Sequence, residues 1–404
     1  MAELKGIAYL RRKLKDKKYR IDLRYKYYDM KNIVRDLGIS TPPDLRLWTS
    51  TLGWCAKAVD SLADRLVFRD FEEDNFNLNQ IFAVNNPDIL ANSAVLAALI
   101  SSCSFIYIYP DNEGYPKMEV IDGGNATGEI DPVTWLLTEG YAVLRRNGDD
   151  DPVTEAYFTP GLIQFYEKGE LVRTYKNEVN YPLLVPIIYR PDAKRPFGHA
   201  RISRACMNIM ESAVRTAKRS EIAAEFYSYP QKYVTGLAED PAKMDKWKAS
   251  MSSLLAFTKD EDGDRPTIGQ FSQQSMEPHL NQLRMFASLF AGETGLTLDD
   301  LGFPSDNPSS ADAIRSQHES LRLTARRAQR TFGTGLLNAG FLAACLRDSY
   351  TYDRRVIYLT KPTWEPIFEP DAAQLSGIGD AVLKIQQAFP EYFTEERLRK
   401  LTGI

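Results

Sequence analysis

Hydrophobic and polar residues follow two different periodicities along this chain. Between residues 44 and 70 the apolar positions recur at alternating steps of four and three, which is helical spacing. From about residue 105 to residue 190, short alternating runs are separated by Asn-Gly, Pro-Gly and Lys-Gly turns. That second pattern predicts a mostly antiparallel sheet. The first half of the chain is therefore predicted to be α+β.

One segment of the first half resembles a membrane span. Residues 89–110 form a run of 22 residues without a charge, and about 20 apolar residues suffice to cross a bilayer. The run contains several serines, however, and its β-branched and aromatic end, FIYIY, is typical of a strand. The favoured interpretation is a buried helix that breaks at the serines into a strand, which turns at residues 111–114.

The second half favours long helices. Residues 200–228 contain no Gly or Pro, and they predict a helix of roughly 40 Å. An amphipathic segment at 281–290 precedes a loop rich in Gly, Pro, Asp and Asn. The capping-box-like start at Ser309 predicts a further helix from Ser310 to about Arg347. Glycines should break or bend this helix, and a short helical tail should begin at Ala372. The glycines are Gly333, Gly335 and Gly340.

Charge is unevenly distributed. The whole chain has 50 basic and 54 acidic side chains, a net charge of −4, which argues against a protein that binds nucleic acid with its entire surface. Residues 1–36 nevertheless carry twelve Lys or Arg and five Asp or Glu, a net charge of +7. Such a basic start can contact phosphate or an acidic partner, or it can be a solvated helix face. The sequence leaves these alternatives open.

Familiar catalytic and cofactor-binding motifs are absent. The chain has no GxxxxGK[ST], HExxH, GxSxG or CxxC motif, and its four cysteines and three histidines are scattered. The acidic segment KDEDGDR at 259–265 contains calcium-type ligands without the loop spacing that calcium sites use, so a solvated hairpin is favoured. We therefore expect no enzymatic activity, no catalytic residue, no cofactor and no metal site.

Four stretches, taken in order, resemble the portal proteins of long-tailed double-stranded DNA bacteriophages. They are RISRACMNIMESAVRTAKRSEIAAEFYSYPQKYVTGL, MEPHLNQLRMFASLFAGETGLTLDDLGF, PSDNPSSADAIRSQHESLRLTARRAQRTFGTGL and PTWEPIFEPDAAQLSGIGDAVLKIQQAFP. None is diagnostic alone, and the ordered set is fairly specific. The resemblance covers the whole chain and is strongest from 200 to 390.

The resemblance implies an α+β portal fold with an α/β wing, a helical stem, a small α/β clip, a long helix after a tunnel loop, and a short helical crown. Carried over to this chain, the parts are the wing at 1–199, the stem helix at 200–228, the clip at 229–273, a second stem helix at 274–294, the tunnel loop at 295–309, the long helix with a return to the wing at 310–370, and the crown at 371–404.

The resemblance also implies the assembly and its partners. We expect a homo-oligomeric ring, usually a dodecamer, at one capsid vertex of the virion, assembled in the host cytoplasm. Double-stranded DNA would pass through its channel. The terminase and then a head-tail connector or adaptor protein would dock on it, with the major capsid protein and a scaffold protein as further contacts. No membrane contact is implied.

Three groups of residues are the candidate functional sites. The tunnel loop should bring Pro304, Ser305, Asp306 and Asn307 nearest the DNA. A basic stripe, within about 80° on the helix that follows, consists of Arg315, Arg322, Arg326 and Arg330. The clip tip, expected to dock the motor and the connector, offers Lys259, Asp260, Glu261, Asp262, Asp264 and Arg265.

Each group has a plainer alternative. The loop can be an ordinary acidic surface connection, and the stripe can face a neighbouring subunit, encapsidated DNA or only solvent. For the whole protein, the competing hypothesis is a metal-dependent phage nuclease or head-processing enzyme whose site forms only in the fold. A peripheral membrane protein that uses the basic start is a third class.

Overall fold

A computed structural model describes residues 4–35, 49–228, 232–235, 267–270, 275–304, 316–357, 359–368, 372–389, 392–394 and 398. The chain forms two compact units. The first comprises residues 1–32, 53–207 and 292–404, and the second comprises residues 33–52 and 208–291. The second unit is thus built mainly from one long insertion between the parts of the first.

The first unit begins with helices and one short strand. These elements are α1 (Ile7–Tyr28), α2 (Trp54–Ala63), β1 (Phe68–Glu72), α3 (Leu78–Val84) and α4 (Pro87–Ser101). The helical pattern at 44–70 is confirmed only in its middle, where α2 buries Cys55, Val59 and Leu62. Beyond α2 the chain turns and enters β1, so the prediction overran the helix by several residues. Residues 36–48 lie outside the described residues.

The uncharged segment is a helix followed by a strand, as predicted. Helix α4 ends at Ser101, and β2 (Cys103–Pro110) begins two residues later. The Ser101 hydroxyl contacts the carbonyls of Ala97 and Cys103, each at 2.6 Å, so it bridges the helix end and the strand start. Ser102 has a φ of 85°, the left-handed conformation that reverses the chain there. Among the described residues, no helix is both long and apolar enough to cross a bilayer.

The predicted antiparallel strands are confirmed, but they form two sheets rather than one. One has the strand order β3-β2-β9, and the other has the order β4-β5-β6-β7-β8. Every pair of neighbouring strands is antiparallel. The strands are β3 (Pro116–Asp122), β4 (Ala126–Ile130), β5 (Leu137–Arg146), β6 (Pro152–Thr159), β7 (Leu162–Glu167), β8 (Glu170–Lys176) and β9 (Leu184–Ile188).

Two long helices and a two-stranded ladder follow. Helix α5 (Arg204–Ser228) is confirmed, although it begins four residues later than expected. Its start is set by Ser203, whose Oγ accepts a hydrogen bond from the Cys206 N–H at 3.1 Å, as an N-cap does. Strands β10 (Lys232–Thr235) and β11 (Thr267–Gln270) pair antiparallel, and α6 (Glu277–Thr294) is longer than the predicted segment.

The last long helix, α7 (Glu319–Arg347), runs without interruption through its glycines, so the predicted break there is wrong. The glycines permit close packing instead. A Cβ at Gly333 would lie 2.7 Å from Pro362 Cγ, and one at Gly335 would lie 2.7 Å from Ile187 Cδ1. Real Cβ atoms do not approach other atoms so closely, so both positions require the smallest residue.

The chain then returns to its beginning. Strand β12 (Lys361–Trp364) pairs antiparallel with β1, and the Trp364 and Phe68 rings lie 5.8 Å apart, edge to face. Helix α7 packs against β9, β2, β12 and α3, and its second half is buried. The predicted tail is confirmed as α8 (Ala372–Ala388), whose described side chains, Val382 apart, are exposed or half-buried.

Candidate functional site

The first half of α7 carries the described part of the basic stripe. Leu321, Ala325 and Ala328 on one face are buried, while Arg326 and Arg330 are exposed. This separation of an apolar and a basic face follows from the 3.6-residue period of the helix. The predicted stripe is therefore present as a surface from residue 322 to residue 330, and its first member, Arg315, lies outside the described residues.

Arg322 is already paired within its own helix. Its guanidinium donates to both carboxylate oxygens of Glu319, at 2.6 and 2.5 Å, which is a bidentate ion pair between positions i and i+3. The hydrogen bond from Arg322 lowers the pKa of Glu319. Arg326 and Arg330 have no ion pair with any residue that the structure describes. Of the three described members of the stripe, two are therefore without an ion pair among the described residues.

The start of the predicted tunnel loop is held by side chains. A 3₁₀ turn spans Asp299–Leu301, and Asp300 Oδ2 accepts hydrogen bonds from the N–H and the hydroxyl of Thr297, both at 2.9 Å. Asp300 therefore organises the turn, and its charge is directed to Thr297.

The two ends of the loop meet. His318, the residue before α7, places Nδ1 3.8 Å from Asp300 Oδ2. A Cβ at Gly295 would lie only 2.7 Å from the Ser320 hydroxyl oxygen, so the first loop residue packs closely against the first turn of α7. Gly295 and the first turn of α7 therefore lie side by side.

Of the four predicted tunnel residues, only Pro304 is described, and it is exposed. Ser305, Asp306 and Asn307 lie outside the described residues. The same is true of the predicted clip tip, Lys259, Asp260, Glu261, Asp262, Asp264 and Arg265. Within the range predicted as the clip, the structure describes the ladder of β10 and β11, whose end pair is Thr235 and Thr267.

The ends of the long helices are also anchored near this loop. Arg201, which is buried, donates from Nε to the Ala58 carbonyl at 3.2 Å and from a terminal nitrogen to the carbonyl of Thr294, the last residue of α6. Ser203 Oγ donates to Glu293 Oε1 at 2.8 Å. The start of α5 and the end of α6 are thus fixed to each other, and the loop begins at the next residue.

The basic start of the chain has its acidic partners within the fold. Glu139, on β5, is 1 % exposed and accepts hydrogen bonds from the backbone N–H groups of Lys5 and Gly6 at 2.9 and 3.1 Å and from the Tyr157 hydroxyl at 2.7 Å. The Gly6 N–H belongs to the N-cap of α1, where backbone donors lack partners within the helix and a carboxylate is favoured by the helix dipole.

Glu155, on the neighbouring strand β6, holds the same helix one turn further on. It receives two hydrogen bonds from Arg11, at 2.9 and 2.8 Å, and one from the Tyr141 hydroxyl. Burial, followed by the hydrogen bond to Glu155, raises the pKa of Tyr141. Both tyrosine hydroxyls therefore remain protonated donors to the two glutamates.

Glu129 adds a third attachment of α1. Its carboxylate lies 3.0 Å from Lys5 Nζ and 2.5 Å from Lys13 Nζ. Burial opposes ionisation of this group, but the hydrogen bonds from Lys13 and Lys5 outweigh it and lower the pKa of Glu129. Glu129 and Glu155 therefore offset part of the +7 charge at the start of the chain within the fold, and this excess alone does not identify a binding surface.

Sequence reasoning missed both buried glutamates. The signal is a repeated Glu-x-Tyr, at 139–141 and 155–157, in two consecutive strands. Tyr141 and Tyr157 are directly opposite in the ladder, and each hydroxyl bonds the glutamate of the other strand. Within the described residues, no group of three or more His, Cys, Asp or Glu side chains is placed to hold a metal ion.

Comparisons with known proteins agree on one family. The chain matches the family model described as phage portal protein, SPP1 Gp6-like, over residues 7–366. The portal protein of Mycobacterium phage L5 is 26% identical over 332 residues, which cover 76% of this chain and 67% of the relative. The portal protein of Mycobacterium phage D29 is 24% identical over 401 residues, which cover 93% of this chain and 81% of the relative.

Solved structures with a similar chain trace include components of gene transfer agent particles. A chain in the virion of the native particle has a TM-score of 0.47 at 13% identity, covering 87% of this chain and 89% of that chain. A chain in the neck of the native particle, computed with C12 symmetry, has a TM-score of 0.46 at 14% identity, with 87% and 89% covered.

Proposed function

The chain belongs to the phage portal protein family, and we propose that twelve copies of it form a ring at one capsid vertex through which double-stranded DNA is packaged and ejected. The observation that carries this proposal is the family match, which extends over residues 7–366 and so includes both compact units. Portal proteins are structural, and the family lends no support to the alternative of a metal-dependent nuclease.

Simple geometry is consistent with twelve copies. Twelve helices side by side at about 9.5 Å give a circumference near 115 Å and a centre-to-centre diameter of roughly 36 Å. Subtracting one helix diameter of about 10 Å leaves a bore near 26 Å. A DNA duplex, roughly 20 Å across, passes such a bore with little clearance. A ring with the copy number that the resemblance implies therefore suits its proposed cargo.

We assign the helices α5 and α6 to the stem and residues 229–273 to the clip, where the packaging terminase and later the connector protein would dock. In virions the ring would also contact the major capsid protein. The continuous insertion of residues 208–291 supports a separate stem-and-clip region. Charge reversal or deletion at 259–265 tests this assignment, because it should weaken terminase and connector binding while rings still form.

The loop between α6 and α7 is proposed to face the DNA. Its described ends lie close together, with His318 Nδ1 3.8 Å from Asp300 Oδ2 and Gly295 packed against the first turn of α7. Asp300 is hydrogen-bonded to Thr297 within its own turn, which leaves Asp306 as the acidic group of the proposed tip at Pro304–Asn307. A collar without cations would let DNA slide, because each cation–phosphate contact adds salt-dependent affinity.

Negative-stain electron microscopy of the purified protein is the decisive test of the ring. A ring of about twelve subunits with an open centre is the expected image. A compact monomer at micromolar concentration across a range of salt concentrations would contradict the proposal, as would magnesium-dependent DNA cleavage that carboxylate substitutions abolish.

The loop assignment has its own test in the double variant Asp306→Lys, Asn307→Lys. It places up to 24 additional cations in a twelvefold ring, two per copy. Rings should form normally, packaging should slow at low salt, and higher salt should partly restore it by screening. A normal packaging rate at low salt would show that the loop does not approach DNA and is an ordinary surface connection.

A further inference from the structure

The second half of α1 presents cations without the carboxylate partners that serve Arg11 and Lys13. Lys17, Arg20 and Arg24 fall within about 60° of one another at 100° per residue, so they share one face of the helix. Arg20 is exposed and Arg24 is half-buried, and neither has an ion pair or a hydrogen bond with any residue that the structure describes. Like charges four residues apart on a helix repel each other, so this face is unfavourable without an anion.

The loop after β9 packs on the same face of α1. The centre of the Phe197 ring lies 5.0 Å from Lys13 Nζ and 5.2 Å from Lys17 Nζ. Lys17 Nζ also lies 5.8 Å from the Phe105 ring, and it is buried without a hydrogen-bond partner among the described residues. Two aromatic rings therefore hold this amine, and they attach the loop to the helix.

The loop brings a third arginine towards the helix. Burial, followed by repulsion from Arg20 and then from Arg195, lowers the pKa of Arg24. No described carboxylate acts on Arg24 in the opposite direction. Arg20, Arg24 and Arg195 together are termed the arginine cluster. A partly buried cation without a partner costs free energy, so the cluster lacks a counter-ion within the described fold.

Arg195 is oriented by its own loop. Its terminal nitrogen lies 3.2 Å from His199 Nδ1, and His199 Nε2 lies 2.6 Å from Asp192 Oδ2. Because a guanidinium only donates, His199 Nδ1 accepts, and the proton of the neutral imidazole is on Nε2, which donates to Asp192. The Asp192 carboxylate also accepts from the Arg195 backbone N–H at 2.7 Å. Asp192 is thus engaged with its own loop, and the other Arg195 side-chain donors have no acceptor among the described residues.

The composition of the cluster favours a phosphate group. Each guanidinium is a planar fork of donors, and such forks match phosphate oxygens through paired hydrogen bonds. A single carboxylate offers only two oxygens to three arginines, whereas a phosphate offers more and spreads them tetrahedrally. Arg20 and Arg195 are exposed, so the cluster is open to a free phosphate and to one that belongs to a larger molecule.

We propose that the arginine cluster binds a phosphate group, held by Arg20 and Arg24 from α1 and by Arg195 from the loop after β9. The bound anion supplies the counter-charge that the described fold omits. Two sources share this chemistry, a free phosphate and the backbone of a DNA duplex. The inference does not rest on the proposed ring, because all three arginines belong to the first compact unit.

Thermal unfolding of the full-length protein tests the free anion. Sodium phosphate, added at constant pH and ionic strength against sodium chloride, should raise the unfolding midpoint saturably. In Arg24→Gln the apparent affinity for phosphate should fall at least about tenfold. The midpoint of this variant without phosphate should not fall, because an unpaired and partly buried charge is removed.

The matched control is Lys15→Gln. Lys15 is exposed and lies about 180° from Arg24 around α1, so the variant loses the same charge on the opposite side of the helix. Its apparent affinity for phosphate should stay within about threefold of that of the wild type.

Fluorescence anisotropy with a short DNA duplex at low salt tests the second source. Arg24→Gln and Arg195→Gln should each weaken duplex binding at least about fivefold, and Lys15→Gln should weaken it less than about twofold. This result would identify backbone phosphates as the source. A saturable response to sodium phosphate that depends on Arg24, with no such dependence for the duplex, would identify a free phosphate.

Two results would overturn the proposal. If neither probe distinguishes Arg24→Gln from Lys15→Gln, the cluster does not bind phosphate. If poly-glutamate binds as tightly as the duplex and with the same dependence on Arg24, the cluster recognises carboxylates instead. Negative-stain images of the variants should match those of the wild type, so a lost response would not reflect lost assembly. Failure of the wild type to form rings would contradict the portal assignment and leave this site unaffected.

Discussion

The first halves of helices α1 and α7 are both rich in cations, but they differ in whether those cations have carboxylate partners in the fold. Arg11 and Lys13 of α1, and Lys5 just before it, form ion pairs with Glu155 and Glu129, and Glu139 accepts hydrogen bonds from the backbone at the helix start. In α7, Glu319 occupies Arg322, and the next two members of the stripe have no such partner among the described residues. A basic run in the sequence therefore remains available at the surface only where the fold provides no carboxylate for it.

The difference arises from what lies beneath each helix. Helix α1 covers β5 and β6, where Glu139 and Glu155 alternate with tyrosines on the covered face. The first half of α7 buries an apolar stripe of Leu321, Ala325, Ala328 and Phe332 that contains no carboxylate, and Arg326 and Arg330 remain at the surface. The following predictions test this contrast, beginning with the largest effect.

Removing the carboxylate beneath α1 should be the most damaging change. In Glu155→Ala the Arg11 guanidinium and the buried Tyr141 hydroxyl both lose their acceptor, and the free energy of unfolding should fall by about 3 kcal/mol. The midpoint of thermal unfolding measures this. The control Glu170→Ala, at an exposed position of β8, should change the midpoint little. Equal midpoints for the two variants would mean that α1 is not held by this site.

The buried part of α7 should tolerate added volume poorly. The Cβ of Gly335→Ala would lie 2.7 Å from Ile187 Cδ1 and 3.2 Å from the Pro186 carbonyl oxygen, so the variant should lose about 1–2 kcal/mol. Gly377→Ala in α8 has open space around it and should instead gain up to about 1 kcal/mol from helix propensity. Thermal unfolding of both variants distinguishes packing from propensity, and a stabilised Gly335→Ala would refute the steric account.

The attachment of α1 at Glu129 should depend on pH. Because the pKa of Glu129 is lowered in the folded protein, its stabilising effect is complete above the unfolded value of about 4.3 and is lost as the pH falls through the folded value. Comparing wild type with Glu129→Gln should show a stability difference of up to about 1 kcal/mol at pH 7, reduced by solvent screening, and none well below pH 4. A difference that persists in acid would assign the effect to shape rather than charge.

Substitutions in the stripe of α7 should have the smallest effect on stability. Arg326→Ala removes a cation without an internal partner, so the unfolding midpoint should change by the equivalent of less than about 0.5 kcal/mol. Arg11→Ala is the matched change in α1, and it should cost clearly more. If both variants are equally destabilised, the contrast between the two helices is wrong.

Much of the fold was predictable from local patterns. The transition from α4 to β2 was predicted from the serines of the uncharged segment and the aromatic run after them. The antiparallel strands were predicted from the spacing of the turns. Helix limits were less accurate where a cap decides them, as at Ser203. The predicted break of α7 at its glycines was wrong. Glycine weakens an isolated helix, but in this fold Gly333 and Gly335 allow Pro362 and Ile187 to pack closely against α7.

The candidate site was predictable only in part. The stripe on α7 follows from helical periodicity, but its pairing with Glu319 and the role of Asp300 at the loop base depend on rotamers and on neighbours in space. The arginine cluster brings Arg195 to two residues of α1 that lie far from it in the sequence, and no local pattern connects them. The division into wing, stem, clip, loop and crown remains a prediction.

The pairing of β12 with β1 has a consequence for biosynthesis. Asp70 and Thr363, which are hydrogen-bonded across this ladder, are 293 residues apart in the chain. At a translation rate of about 5–20 residues per second, β1 waits roughly 15–60 s on the ribosome before its partner is made. During that interval the nascent chain exposes a strand edge and the apolar floor that α7 later covers. High contact order makes such closure slow, so chaperones that shield nascent apolar surfaces should raise the yield of folded protein.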